Sequence, residues 1–108
     1  IYNWILRLIK FLDILNKNDS LCRTVDGQLI RCGTSIGANY VEAIAGSSKK
    51  DFVNFLSHAL KSANESKFWL ALLRDSGKGN QDEINNLLKE LIELANILAS
   101  SIRTMRNK

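Results

Sequence analysis

The sequence has no proline, one histidine, one methionine and two cysteines, and aromatic residues make up only 7% of its 108 positions. Each scarcity excludes something. Without proline, nothing in the chain obliges a helix to break. Cys22 and Cys32 fit no zinc spacing and are too few to staple a small secreted fold, so both are expected to be reduced, with Cys32 in the core. No apolar run approaches the roughly 20 residues that a membrane span requires, and no signal peptide is visible. A cytoplasmic protein without a membrane partner is expected; residue 1 is isoleucine, which leaves open whether residues precede it.

The shortage of histidine also bears on chemistry. A bundle that held two metal ions would use Glu-x-x-His pairs, and none is present around His58. The stretch "SGKGN" at 76–80 superficially suggests a phosphate loop, but it lacks the Walker spacing and serves better as a helix stop and restart. Neither cysteine has a sequence-evident histidine partner. No metal, no cofactor and no enzyme activity are therefore expected.

What is present is ordinary for one small domain spanning 1–108: 45% apolar and 24% charged residues, with a net charge of +4 and a pI near 9.3. That charge permits a polyanionic partner without demanding one. Apolar residues recur at helical spacing throughout. Ile1, Trp4, Ile5, Leu8, Ile9, Leu12 and Leu15 predict a helix over 1–16. Thr24 can cap a second helix over 24–45, with a stripe of Val25, Leu29, Cys32, Ile36, Tyr40 and Ala43. Ser48 and Asp51 resemble a capping box opening a third helix over 48–76, and Asn80 with Glu83 opens a fourth over 80–106. Short links between long amphipathic helices make neighbours antiparallel. The predicted architecture is all-α, an antiparallel up-down-up-down four-helix bundle.

Two glycines, Gly33 and Gly37, sit one turn apart inside the second helix, where each costs about 1 kcal/mol relative to alanine. They lie at the edge of an apolar arc that Ile30, Val41 and Ala45 widen beyond what one bundle interior requires. Missing side chains let another helix approach closely, and that helix could belong to the same chain or to a second subunit. On the third helix His58, Ser62, Glu65 and Trp69 share an arc of about 60° beside the core stripe, where the indole could meet a partner or simply cap the core edge.

The strings "QLIRCGTSIGANYVEAIAGSSKKDF" and "ALKSANESKFWLALL" resemble the four-helix-bundle family of 23S rRNA intervening-sequence proteins, which is similar to the accessory variability proteins of diversity-generating retroelements. Its densest element here is Ser35, Ile36, Gly37, Ala38 and Asn39 followed by Glu42 and Ala43, with Ser48, Asp51, Phe52, Lys61, Glu65 and Trp69 as spaced matches. Ser62 departs from the pattern, since close relatives commonly carry an acidic residue there. The resemblance implies a homo-oligomer, typically a homopentameric ring, without established enzyme chemistry. It also implies RNA or DNA binding, clearest in the retroelement branch, where the ring partners a reverse transcriptase and its RNA. Candidate oligomer-interface positions are Gly33, Gly37, Val41, Glu65 and Trp69.

Charge placement adds the last expectation. The antiparallel arrangement gathers Arg7, Lys49, Lys50, Arg103, Arg106 and Lys108 at one end, against Asp51. These six are the candidate nucleic-acid contacts, the alternative being ordinary solubilising charge on a structural or protein-interaction oligomer. Aromatics that could stack bases are scarce there, so sequence-tolerant binding is expected.

Overall fold

All four apolar-periodic segments are helical in the computed structural model, which describes residues 1–108: α1 (Tyr2–Ile14), α2 (Ser20–Ala45), α3 (Lys49–Asp75) and α4 (Gln81–Arg106), with no strand. Each stripe turns inward. Trp4 and Leu8 of α1, Leu29 and Ile36 of α2, Leu70 and Leu73 of α3, and Ile84 and Leu91 of α4 are all fully buried in one continuous core. The bundle measures 48 × 20 × 19 Å. No helix is long and apolar enough to cross a membrane.

Side-chain caps set three of the starts. Ser48 Oγ accepts from the Asp51 N–H at 3.1 Å, and Asn80 Oδ1 accepts from the Glu83 N–H at 3.0 Å, both as the sequence predicts. The cap of α2 is different: Asp19, not Thr24, accepts from the Cys22 N–H at 3.0 Å, so α2 begins at Ser20, ahead of the expected start. Lys78 reinforces the cap, because its ammonium donates to the same carboxylate at 2.6 Å and ties the α1–α2 link to the α3–α4 turn. That turn needs its glycines, since Gly77 and Gly79 have φ of 69° and 79°.

Contacts between elements confirm the antiparallel order. Ser62 Oγ donates to Ser35 Oγ at 2.9 Å, and Ser66 Oγ lies 3.1 Å from Cys32 Sγ, which fixes the α2–α3 register. By that register His58 lies level with Asn39, not with Ile36 as equal counting from the turn at Ser47 suggests.

Gly33 and Gly37 face α1. A Cβ on Gly33 would stand 2.4 Å from Leu8 Cδ2, and one on Gly37 would stand 2.7 Å from Ile5 Cδ1. The close approach is thus within the chain. Trp4 locks the other side of α1, its indole N–H donating to the Leu87 carbonyl at 3.0 Å. Yet α1 has 13 residues where α2 and α4 have 26 each, about 20 Å against about 39 Å. Tyr40, expected in the core stripe, is 40% exposed, lying beyond the part of α2 at Gly33 and Gly37 that Leu8 and Ile5 of α1 pack against.

Candidate nucleic-acid interface

The α2–α3 turn and the last turn of α4 meet at one end of the bundle, where the Lys49 ammonium donates to the Lys108 carbonyl at 3.2 Å. Lys49, Lys50, Arg103, Arg106 and Lys108 are all exposed there, and none of them takes part in an ion pair. Arg103 and Arg106 occupy the last turn of α4, a place that the helix dipole favours for cations. Lys49 and Lys50 do the reverse. They open α3, where the dipole is positive, and each stands against a field worth about 0.3–1 kcal/mol per charge. Asp51 is the acid in that turn.

Arg7 does not join this cluster. Its guanidinium pairs with Glu90, so it lies beside the first half of α4. Thirteen residues of helix, about 20 Å, separate Glu90 from Arg103. The start of α1 lies well below the basic end, and taking it as level with that end is what misplaces Arg7.

The opposite end pairs three of its cations with its own acids and leaves Lys10 and Arg23 unpaired. Lys78 pairs with Asp19 at 2.6 Å, Lys17 with Asp26 at 3.8 Å and Arg74 with Asp75 at 2.9 Å. The Lys78 hydrogen bond, helped by the Cys22 N–H, holds the Asp19 carboxyl down at about 2, and the same bond raises the Lys78 ammonium. Five of the ten cations that make no ion pair are therefore gathered at one end.

The Ser35–Asn39 element forms a second polar feature along the α2–α3 seam. Asn39 Nδ2 donates to the Ser35 carbonyl at 2.9 Å and to Ser35 Oγ at 3.0 Å, and Ser62 completes the link across helices. With His58, Lys61 and Glu65 these residues line a groove of about 510 Å³. Ser66 lies beneath it, fully buried and bonded to the Ser62 carbonyl at 2.9 Å. Burial pushes the neighbouring Cys32 thiol up, against a smaller opposing effect of the Ser66 hydrogen bond. Ile36 is buried in the core, and Glu42 is exposed without a hydrogen-bonded partner.

Glu65 is the hub of the seam's outer edge. Its carboxylate pairs with Arg31 and accepts from the Trp69 indole N–H at 3.3 Å. Phe68 packs edge-on against Trp69, with centroids 5.0 Å apart, and is itself 58% exposed. Of the other interface candidates, Gly33 is buried behind Leu8, Gly37 is half-buried against Ile5, and Val41 is exposed but lies apart from Glu65 and Trp69, in an apolar trough. Sequence reasoning placed Glu65 and Trp69 on one flank but missed Arg31 as their partner; the exposed flank of α2 that carries Arg31 and Ser35 was the available signal.

Comparison with known proteins gives a consistent picture. The family model described as 23S rRNA-intervening sequence protein matches residues 7–100. Among solved structures, a protein of unknown function from the S23 ribosomal protein family of Bacteroides thetaiotaomicron is 37% identical, over 91% of this chain and 87% of its own, with a TM-score of 0.75. No curated protein matches the chain.

Proposed function

The chain belongs to the 23S rRNA-intervening sequence protein family, and on that premise we propose that it is a non-enzymatic, self-associating bundle that binds nucleic acid through its basic end. One observation carries the reading: five exposed cations without ion-pair partners share one end, while at the opposite end Lys17, Arg74 and Lys78 are paired and the unpaired Lys10 and Arg23 stand among the acids Asp13, Asp82 and Glu83. Lys49 and Lys50 support it further, because the α3 dipole makes their positions unfavourable for stability alone. Phosphates would supply the missing counter-charge, with release of condensed counterions as the driving force. No base-reading element accompanies these cations, so the contact is with backbone phosphate and tolerates sequence. Such an end would serve a ribonucleoprotein partner, a reverse transcriptase with its RNA included, as well as free RNA or DNA.

Self-association would multiply this end into a continuous patch. The surface best suited to it is the Glu65, Phe68 and Trp69 flank of α3, where two aromatics combine apolar area with a fixed polar rim. A homopentameric ring is the form proposed, and light scattering showing a stable monomer at micromolar concentration would remove it.

Replacing Lys49, Lys50, Arg103 and Arg106 by glutamine tests the binding reading. Retention of RNA should weaken to a similar degree across unrelated sequences while the oligomer stays intact. If the unaltered protein retains neither RNA nor DNA at about 50 mM salt, a structural or protein-interaction oligomer replaces this reading.

A further inference from the structure

The solvent side of α3 carries the basic end down the flank of the bundle. Lys50, Asn54, His58 and Lys61 fall within an arc of about 80° on that helix, and Lys61 lies about 17 Å below Lys50 along its axis. All four are exposed, and none makes an ion pair. Asp51 stands at the edge of the arc, and by the α2–α3 register Glu42 lies level with Phe55 beside its upper part. Glu65 closes it below, its carboxylate held by Arg31 and the Trp69 indole.

Beside His58 and Lys61 the α2–α3 groove holds one donor and one acceptor that the chain itself does not use. Thr34, Ser57 and Ser66 return their hydroxyls to carbonyls four residues back. Ser35 does not. Its Oγ accepts from Asn39 Nδ2 at 3.0 Å and from Ser62 Oγ at 2.9 Å, so its own hydrogen is left without an acceptor in the chain. Asn39 spends its amide donor on Ser35, at the carbonyl and at Oγ, and its Oδ1 accepts nothing. A ribose 2′-hydroxyl both donates and accepts, which matches that adjacent pair, whereas a deoxyribose has no group to place there.

We infer that a single strand of RNA held at the basic end continues down α3, with phosphates on Lys50, His58 and Lys61 and a ribose hydroxyl between Ser35 and Asn39. The inference rests on the nucleic-acid reading and names its ligand. A flexible strand can turn from the end of the bundle onto its side, and a duplex is too stiff to do so. Every contact is to phosphate or sugar, so the track tolerates sequence as the basic end does. It stops at Glu65, one turn before Phe68 and Trp69, which leaves that flank free for self-association.

The test is fluorescence anisotropy at about 50 mM salt with labelled octauridine and its deoxyuridine counterpart, which differ only in the 2′-hydroxyl and are of a length that single-strand grooves hold. The unaltered protein should bind the RNA several-fold more tightly than the DNA. The double variant His58→Gln, Lys61→Gln alters exposed positions and should weaken both about fivefold or more, through lost phosphate contacts. Asn39→Ala and Ser35→Ala should each lower RNA affinity to that of the DNA and leave DNA binding unchanged, which also shows that these variants fold. Equal affinity for RNA and DNA overturns the inference, as does an Asn39→Ala protein that keeps the preference for RNA. RNA binding that needs Lys49, Lys50, Arg103 and Arg106 but ignores His58 and Lys61 overturns it too and leaves the basic-end reading standing, whereas no binding of either oligonucleotide overturns both. Polyglutamate bound as tightly as the RNA also overturns it, by assigning the track to an acidic protein.

Discussion

Gly33→Ala probes how α1 is seated, and the geometry allows the outcome to be worked in advance. Alanine in place of glycine in a helix interior gains about 1 kcal/mol. At Gly33 the new methyl would stand 2.4 Å from Leu8 Cδ2, whereas carbon atoms rest about 3.5–4.0 Å apart. Leu8 is fully buried, so the more than 1 Å of retreat must come from a strained rotamer or a displaced α1, at about 1–3 kcal/mol. The net expectation is a loss of about 1 kcal/mol. Gly27→Ala supplies the reference, because nothing lies within 4 Å of its Cβ position and only the propensity gain remains. Gly37→Ala should fall between the two, since Ile5 Cδ1, 2.7 Å away, can swing toward the open trough. The assay is thermal and urea unfolding by circular dichroism at one protein concentration, where each kcal/mol moves Tm by about 4–8 °C. In a Leu8→Ala background the cost of Gly33→Ala should shrink. A Gly33→Ala protein stabilised as much as Gly27→Ala would refute the packing argument, and one with unchanged stability but weakened assembly would place the glycines at a subunit contact.

Trp4→Phe removes the indole donor to Leu87 and leaves a small void in the core, so unfolding free energy should fall by about 2 kcal/mol in the same assay. Asp19→Asn tests acid sensitivity. The Asp19 carboxyl is held below its ordinary value, so its contribution is present above pH 4 and is lost as pH falls toward about 2. Asparagine keeps the cap acceptor without the charge, so the variant should melt lower near neutral pH and lose less between pH 4 and pH 2 than the unaltered protein. Arg7→Gln breaks an exposed pair remote from the basic end. It should cost less than about 1 kcal/mol and leave nucleic-acid retention unchanged, as a filter-retention assay would show.

Periodicity made the four helices legible because stripes such as Trp4, Leu8 and Leu12 report burial directly, and Ser48 and Asn80 are caps with their acidic third positions in place. Asp19 was harder to read. "NKNDS" looks like a breaker, and the Lys78 that holds the capping carboxylate lies 59 positions away in sequence. Tyr40 and Arg7 went astray for one shared reason, the offset of α1 along the bundle relative to α2 and α4, which spacing within a helix does not encode. The glycines posed the right question locally, but only the position of Leu8 shows that the neighbour belongs to the same chain. On the α2–α3 seam, Glu65 and Trp69 were visible as one flank, while the Ser35–Ser62 link depended on a register that differs by about three residues from equal counting.

The most direct test of the nucleic-acid reading is the salt dependence of binding to single-stranded RNA, measured by anisotropy between about 50 and 200 mM salt for two unrelated sequences. Four or five neutralised phosphates per bundle end predict a slope of log affinity against log salt near −3 for each engaged subunit, the same for both sequences, and flattened by the Lys49, Lys50, Arg103 and Arg106 glutamine variant. A slope near zero, or a slope that the four substitutions leave untouched, would contradict the claim that this end of the bundle binds phosphate.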